Sequence, residues 1–204
     1  MKAWISNELQ QQIDNLLTLS IPEDRKEILH ILIEYIQRKK DNNEEVNLNF
    51  ICTHNSRRSQ FSQLWAKTAS LAYGIESNCF SGGVEVTAFN ERAVASVQRM
   101  GFKVESEGSE NPKYSVWSHK ETEPLVMFSK VFDDKANAAK HFASVMTCAH
   151  ADENCPFVPG TEERISLRYE DPKAFDDTEQ EAEMYDKRSL QIASELFYVY
   201  SQIR

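Results

Sequence analysis

The sequence predicts an α/β fold in which helices flank a central parallel sheet, with a helical hairpin ahead of it. From residue 46 onward, short apolar runs of strand length alternate with helical patterns, which is typical of a parallel sheet covered on both faces. Residues 1–45 show helical spacing alone. We therefore predict a helical extension over residues 1–45 and an α/β domain over residues 46–204.

The extension contains two helical patterns. Apolar residues recur at helix spacing over residues 5–17 and again over residues 28–36, on either side of Ser20-Ile21-Pro22-Glu23. The polar run at residues 39–43 is predicted to be the linker into the next unit. Since no functional groups cluster here, we expect these helices to serve packing or dimerisation, and we predict no site residue among them.

The elements of the α/β domain place two cysteines at strand ends. The carboxyl ends of parallel strands share one edge of a sheet, so Cys52 and Cys148, which each end a strand-like run, are expected at the same edge. Cys79 is expected to be a core thiol, and His119 and His141 to be solvated. Strands or apolar runs are predicted at residues 46–51, 77–80, 125–132 and 144–148, helices at residues 59–72, 90–100 and 178–202, and exposed loops at residues 106–112 and 133–137.

Size and charge exclude several classes of protein. A chain of 204 residues with 41% hydrophobic content is long enough for one core of ordinary size. The formal net charge of −9 argues against a nucleic-acid or anionic-membrane partner, because both need a basic face. No apolar run approaches the roughly 20 residues that a membrane-spanning helix needs, and four cysteines are too few for a secreted disulfide scaffold. We expect a cytoplasmic protein.

The strand that ends at Ile51 runs directly into a turn with the groups needed to bind a tetrahedral oxyanion. Backbone N–H groups of a turn before a helix point at a bound anion, and the helix dipole favours negative charge there. The Arg58 guanidinium can bind two anion oxygens, and the same positive field stabilises a thiolate at Cys52, six positions earlier. The pattern therefore predicts a sulfur nucleophile that attacks a phosphate-like centre.

The other residues of this turn are candidates for holding the anion. Asn55 and Ser56 can shape the loop, Ser59 can hydrogen-bond the thiolate, and Arg57 either adds positive field or faces solvent. The predicted oxyanion-binding residues are Thr53, His54, Asn55, Ser56, Arg57 and Ser59.

Asp171 is the candidate general acid. It precedes Pro172, which biases the aspartate toward an extended conformation and opens a loop. An oxygen displaced by a thiolate needs a proton, and a loop aspartic acid that reaches over the anion can supply it. The dipeptide alone is also a common turn former, so the prediction depends on its pairing with the Cys52 loop.

Two further cysteines, Cys148 and Cys155, are seven positions apart across a polar loop. In a reducing compartment such a pair is structural, metal-binding or redox-active. The spacing suits zinc poorly, although His150 and His54 keep a zinc site open as an alternative. A redox relay, in which one sulfur attacks an adduct on Cys52 and the next resolves the disulfide, also fits the count of three thiols.

These motifs resemble the low-molecular-weight protein tyrosine phosphatase superfamily and, within it, the thioredoxin-coupled arsenate reductases. Residues 49–60 look like the reductases' nucleophile loop, and residues 80–83 like the strand and turn that follow the first helix. Residues 145–156 are similar to their redox segment, and residues 170–172 to their general-acid loop. The resemblance starts near residue 46 and does not cover the extension.

The resemblance implies a role for each candidate. Cys52 would attack arsenate while Arg58 holds the oxyanion and Asp171 protonates the departing oxygen. Cys148 would then attack the Cys52 adduct, and Cys155 would take over the disulfide and present it to thioredoxin. A phosphatase acting on phosphotyrosine or a small phosphomonoester through the first three residues is the second hypothesis, and a module that only senses an oxyanion is the third.

Three positions depart from the family pattern, and one of them is Arg57, where many members carry another cysteine. Family loops usually carry glycine where His54 stands, and a side chain there restricts the backbone of the loop. Gln63 stands where some of the reductases have a glutamate that helps to bind potassium. We accordingly predict no metal and no cofactor.

Overall fold

The computed structural model describes residues 4–138, 140–154 and 157–204. Cys155, one of the predicted relay cysteines, lies outside the described residues. The strands of the described part form two sheets. They are β1 (Asn47–Cys52), β2 (Asn78–Gly83), β3 (Lys103–Glu107), β4 (Lys113–Trp117), β5 (Leu125–Met127), β6 (Phe142–Met146) and β7 (Thr161–Ile165).

The larger sheet confirms the predicted fold class. Its four strands run in the order β2-β1-β6-β7, and every neighbouring pair is parallel. Helices cover the sheet, and among the described helices none combines the length and the apolar character needed to span a bilayer. They are α1 (Asn7–Leu16), α2 (Glu23–Asp41), α3 (Arg58–Tyr73), α4 (Glu91–Arg99), α5 (Ala149–Asn154) and α6 (Glu181–Ser201).

The second sheet corrects one part of the sequence interpretation. Strands β3, β4 and β5 pair antiparallel, whereas the sequence predicted an exposed loop at residues 106–112. Only residues 108–112 form that loop, as the connection between β3 and β4. Most of β3 is solvent-exposed, so its sequence lacks the apolar run by which a buried strand is recognised.

The extension shares its core with the rest of the chain. Leu9, Ile13 and Leu29 lie in the same hydrophobic cluster as Leu48 of the sheet and Trp65 of α3. Both α1 and α2 pack against α6. The division of the chain at residue 45 stays a prediction.

Two local expectations were wrong, and a third was wrong at one residue. Residues 39–41, predicted as linker, belong to α2, and Lys39 is buried there with its Nζ 2.7 Å from carboxylate oxygens of Glu44 and Glu162. His119, expected in solvent, is buried and its ring centroid lies 4.0 Å from that of Trp4. In the predicted loop at residues 133–137, Asn137 is buried as well. In each case a tertiary contact remote in sequence covers a polar side chain.

Candidate active site

Cys52 ends β1, the strand that lies between β2 and β6. All six residues of β1 are buried, and the strand delivers the thiol to the edge where the turn into α3 begins. Gly83 lies opposite Cys52 on the neighbouring strand. A Cβ at Gly83 would come within 2.7 Å of the Asn55 backbone nitrogen, so only glycine lets the turn pass this close.

The turn is locked around Asn55, whose φ of 47° places it in the left-handed region. Its Nδ2 donates to Ser59 Oγ at 2.9 Å, and its Oδ1 accepts from the Lys130 N–H at 3.0 Å. Its carbonyl oxygen accepts from Gln60 Nε2 at 2.9 Å. His54 is not among the residues with positive φ, so its side chain causes no strain of the kind that glycine relieves.

The Cys52 sulfur lies 3.0 Å from Ser59 Oγ. Because the Asn55 amide already donates to that hydroxyl oxygen, the Ser59 hydrogen is free to point at the sulfur. This contact is the one predicted for Ser59, and its role in stabilising a thiolate stays a prediction.

The backbone of the turn offers donors for an anion. The N–H groups of residues 54–58 donate to no protein acceptor within the described ranges. The last of these residues begins α3, where the helix dipole adds a partial positive charge. Successive free N–H groups at a helix start form the kind of concavity that binds phosphate-like anions.

Arg58 and Asp171, predicted to act together, are in contact. Arg58 Nη2 donates to Asp171 Oδ2 at 2.6 Å, and Nη1 donates to the Tyr169 carbonyl at 3.0 Å. Arg58 Nε is buried and has no hydrogen-bond partner among the described residues. Nη2 is occupied by Asp171, so an oxyanion can engage the Nε and Nη2 edge in bidentate fashion only by displacing that carboxylate.

The side chains of other predicted anion-binding residues point elsewhere. Ser56 Oγ donates to the Ala88 carbonyl at 2.7 Å. Arg57 Nε donates to the Tyr185 hydroxyl at 2.7 Å, and its Nη2 lies 3.4 Å from Asp176, so this guanidinium does not face solvent freely. His54 is half-exposed, with its Nε2 3.3 Å from Glu85. For these three residues, anion binding stays a prediction that concerns their backbone N–H groups.

Cys148 lies at the same sheet edge as Cys52. Thr147 ties the ends of the two strands together, because its N–H and its hydroxyl both donate to the Ile51 carbonyl, at 2.7 and 2.9 Å. The Thr53 hydroxyl is 3.5 Å from the Cys148 sulfur and 3.3 Å from His150 Nδ1. Both thiols are buried in one small apolar cluster. The structure thus brings the first and second relay candidates together.

Short helix α5, which follows Cys148, is fixed through Asp152. Arg164 and Arg168 donate to its carboxylate at 2.9 and 2.7 Å. Burial would raise the pKa of Asp152, but the hydrogen bonds from Ser166 and the two arginines outweigh it and lower that pKa. The described part of the chain brings together no three His, Cys, Asp or Glu side chains suited to a metal ion.

The sequence interpretation missed two residues that support the turn. Ser129 Oγ donates to the His54 carbonyl at 2.8 Å, and the Lys130 N–H holds Asn55. Burial lowers the pKa of the Lys130 ammonium to about 8. These residues lie 75 positions after their partners, and neither belongs to a motif, so no local pattern could have identified them.

A cleft of about 490 Å³ opens beside the turn. It lies between the anion-binding turn, the antiparallel sheet and the start of the 3₁₀ turn that follows Asp171. Phe89 and Tyr114 form an edge-to-face pair in its wall, with ring centroids 5.4 Å apart. Polar side chains of His54, Glu110 and Lys173 also line it.

Comparison with known proteins agrees with this geometry. No family model matches the chain. An arsenate reductase from Halalkalibacterium halodurans is 26% identical over 132 residues, which span 65% of this chain and 78% of the relative. An arsenate reductase from Brevibacillus brevis is 29% identical over 123 residues, or 60% of this chain and 74% of the relative.

A solved structure of a low-molecular-weight phosphotyrosine phosphatase from Vibrio cholerae O395 has the same fold. It aligns with a TM-score of 0.52 at 12% identity and covers 76% of this chain and 93% of its own. The chain is thus similar in sequence to curated arsenate reductases and shares its fold with a low-molecular-weight phosphotyrosine phosphatase.

Proposed function

We propose that this chain is a thiolate-based oxyanion enzyme that reduces arsenate through Cys52, Cys148 and Cys155. The supporting observation is the 3.5 Å contact between the Thr53 hydroxyl, on the residue after Cys52, and the Cys148 sulfur. Hydrolysis of a phosphoester needs one thiolate at this edge of the sheet. Reduction needs a second sulfur near the first, and the burial of Cys148 in the same apolar cluster as Cys52 supports it as that sulfur.

In the first step, the Cys52 thiolate attacks arsenic and forms an As–S bond. The free N–H groups of the turn and the Nε and Nη2 edge of Arg58 bind the arsenate oxygens. The incoming anion competes with Asp171 for Arg58, which releases the aspartate carboxyl to hold a proton. Asp171 gives that proton to the departing oxygen, which leaves as water.

In the second step, the Cys148 thiolate attacks the Cys52 sulfur. An S–S bond forms, the As–S bond breaks, and its electron pair stays on arsenic, so arsenate is reduced to arsenite by two electrons. The Cys155 thiolate then attacks Cys148 and frees Cys52 as a thiolate.

The remaining Cys148 to Cys155 disulfide needs an external dithiol, for which we propose thioredoxin. Its two thiols become a disulfide as the enzyme's disulfide returns to two thiols. We propose a cytoplasmic location on the same ground, since the relay works only where free cysteines persist.

A phosphatase that uses Cys52, Arg58 and Asp171 is the second candidate, and the cleft beside the turn favours it. Arsenate fills only the anion site, whereas about 490 Å³ of adjoining space suits the organic group of a phosphomonoester. The edge-to-face pair of Phe89 and Tyr114 provides an apolar wall for an aryl group.

Two assays on the same preparation separate these candidates. The first measures arsenate-dependent NADPH oxidation with thioredoxin and thioredoxin reductase, and the second measures aryl-phosphate hydrolysis. We expect NADPH oxidation that requires arsenate and yields arsenite. Aryl-phosphate turnover without arsenite formation would establish the phosphatase instead, and turnover of neither substrate would refute both.

A further inference from the structure

The candidate acid loop is held from the N-terminal extension. Arg25, in the first turn of α2, forms a bidentate ion pair with Glu195 of α6, with Nε to Oε1 at 3.0 Å and Nη2 to Oε2 at 2.6 Å. Its third nitrogen, Nη1, donates to the Arg168 carbonyl at 3.1 Å. Glu195 is almost fully buried and Arg25 is 16% exposed, so the pair is shielded from solvent and its geometry is well defined.

Tyr169 joins this ion pair to the candidate site. Its hydroxyl donates to Glu195 Oε2 at 2.8 Å, and its ring lies 5.0 Å beneath the Arg25 guanidinium. Burial raises the pKa of Tyr169 well above its usual range, which keeps the hydroxyl protonated as a donor. The backbone carbonyl of the same tyrosine accepts the 3.0 Å hydrogen bond from Arg58 Nη1.

Residues 168 and 169 are therefore held on both sides. On the side of the extension, Arg25 donates to the Arg168 carbonyl and Glu195 accepts from the Tyr169 hydroxyl. On the side of the candidate site, Arg58 donates to the Tyr169 carbonyl. Asp171 follows two residues later, so the position of this segment also sets how far its carboxyl reaches. A displacement on the order of 1 Å at reacting groups is enough to slow a reaction about 100-fold.

We infer that Arg25 is a positioning residue: through the Arg168-Tyr169 segment it orients Arg58 for the oxyanion and sets the reach of Asp171. The roles of Arg58 and Asp171 are those given under the proposed function, on which this inference rests. The extension, which the family resemblance does not cover, thereby becomes part of the support of the active site.

Lys39 provides a matched control on the same helix. It is a buried cation with two carboxylate partners, Glu44 and Glu162, each at 2.7 Å. Those partners lie before β1 and in β7, and their side chains contact Lys39, Tyr35 and His141 rather than residues 168–171. Arg25→Gln and Lys39→Gln each break a buried ion pair of α2 and should each lower the melting temperature. Only the first change should alter the anion site.

The first readout is protection of Cys52 from iodoacetamide by inorganic phosphate, followed by mass spectrometry of the Cys52 peptide. It requires no turnover. We expect Arg25→Gln to raise the phosphate concentration for half-protection about tenfold, since one tenfold step corresponds to the loss of one well-placed charged contact. Lys39→Gln should stay within about twofold of the unmodified protein.

The second readout is the dependence of aryl-phosphate hydrolysis on the leaving group. A misplaced general acid slows the expulsion of phenolate more than that of p-nitrophenolate, because the poorer leaving group needs the proton more. We expect Arg25→Gln to raise the ratio of p-nitrophenyl to phenyl phosphate rates about tenfold. Tyr169→Phe removes only the hydroxyl bond to Glu195 and should shift both readouts in the same direction as Arg25→Gln, but by a smaller factor. It replaces Arg25→Gln as the test variant if Arg25→Gln does not fold.

The outcomes separate this inference from the function on which it rests. Equal half-protection concentrations for Arg25→Gln and Lys39→Gln would overturn it, and so would an unmodified protein that phosphate does not protect. If phosphate protection weakens selectively in Arg25→Gln while the unmodified protein turns over neither arsenate nor aryl phosphate, the positioning role stands and the proposed function fails.

Discussion

Cys52 and Cys79 lie on neighbouring parallel strands and are equally hidden from solvent, with 3% and 6% of each residue exposed. Cys79 is near the start of β2, between apolar side chains and the Tyr200 hydroxyl, 4.0 Å from its sulfur. Burial there raises its pKa to about 12. Cys52 ends β1, with a hydroxyl 3.0 Å away and a turn of free N–H groups beyond it.

The difference predicts that burial alone does not make a cysteine inert. At Cys79, near the amino end of β2, desolvation disfavours the charged form and outweighs the opposing effects of Lys67 and the Tyr200 hydroxyl. The carboxyl end opens into a turn and a helix start, where donors converge. Position along the strand, rather than depth, therefore separates a structural thiol from a candidate nucleophile.

The prediction with the largest expected effect concerns the replacement of each cysteine sulfur by a serine oxygen. Cys52→Ser should lower both arsenate reduction and aryl-phosphate hydrolysis by at least about 10³-fold, because a serine hydroxyl is not ionised in this field. Cys79→Ser should leave both rates within about twofold and change only stability. A Cys79→Ser variant as inactive as Cys52→Ser would refute the distinction between the two strand ends.

Cys148 sharpens the comparison, since it is a third buried thiol and lies at a carboxyl end. Cys148→Ser should abolish multiple-turnover arsenate reduction, because the Cys52 adduct is then never attacked by a second sulfur. Aryl-phosphate hydrolysis should stay within about threefold, as that reaction needs only the first thiolate. The coupled NADPH assay and the hydrolysis assay measure the two effects.

Cys155→Ser is expected to behave like Cys148→Ser in multiple turnover. A Cys148→Ser variant that still cycles arsenate, with Cys52 intact, would show that the reducing sulfur comes from another molecule.

Substitution of Asp171 tests whether this residue supplies the proton to the departing oxygen. Asp171→Asn should slow phenyl phosphate hydrolysis about 10²-fold and p-nitrophenyl phosphate hydrolysis less. Asp177→Asn is the matched control, because Asp177 pairs with Arg92 on the surface at 2.6 Å and asparagine accepts its positive φ. Equal losses for both substrates would indicate that Asp171 only holds Arg58 in place.

The sequence alone was enough to predict the strand, turn and helix around Cys52. A fully buried strand reads as a continuous apolar run, and the turn residues are local to it, so short-range patterns contain the information. Arg58 and Asp171 lie 113 positions apart, yet the Asp171-Pro172 motif and its resemblance to a general-acid loop predicted that Asp171 belongs to the same site. Motifs therefore predicted side chains of the candidate site that lie far apart in sequence.

The support of the site could not be predicted in this way. Ser129 contacts the backbone of the turn and the Lys130 N–H contacts the Asn55 side chain, and neither contact depends on a sequence pattern near the donor. Arg25 lies in a helix whose sequence pattern predicts only a packing role, and its partner Glu195 lies 170 positions away. Such residues are recognised only when tertiary structure shows what they touch.

The smallest expected effect concerns Cys79, the thiol that is predicted to be inert. The pKa of Cys79 is raised from an ordinary value of 9.0 to about 12 in the folded chain, so the unfolded state loses this proton first as the pH rises. The folded state is therefore favoured fully below about pH 9 and loses that advantage progressively as the pH rises toward about 12. Between about pH 8 and about pH 10, urea unfolding should show wild type losing about 1 kcal/mol more free energy of unfolding than Cys79→Ala, which has no thiol to titrate. Parallel pH curves for the two proteins would mean that the thiol ionises as readily in the core as in solvent, and that burial at the amino end of β2 does not suppress its chemistry.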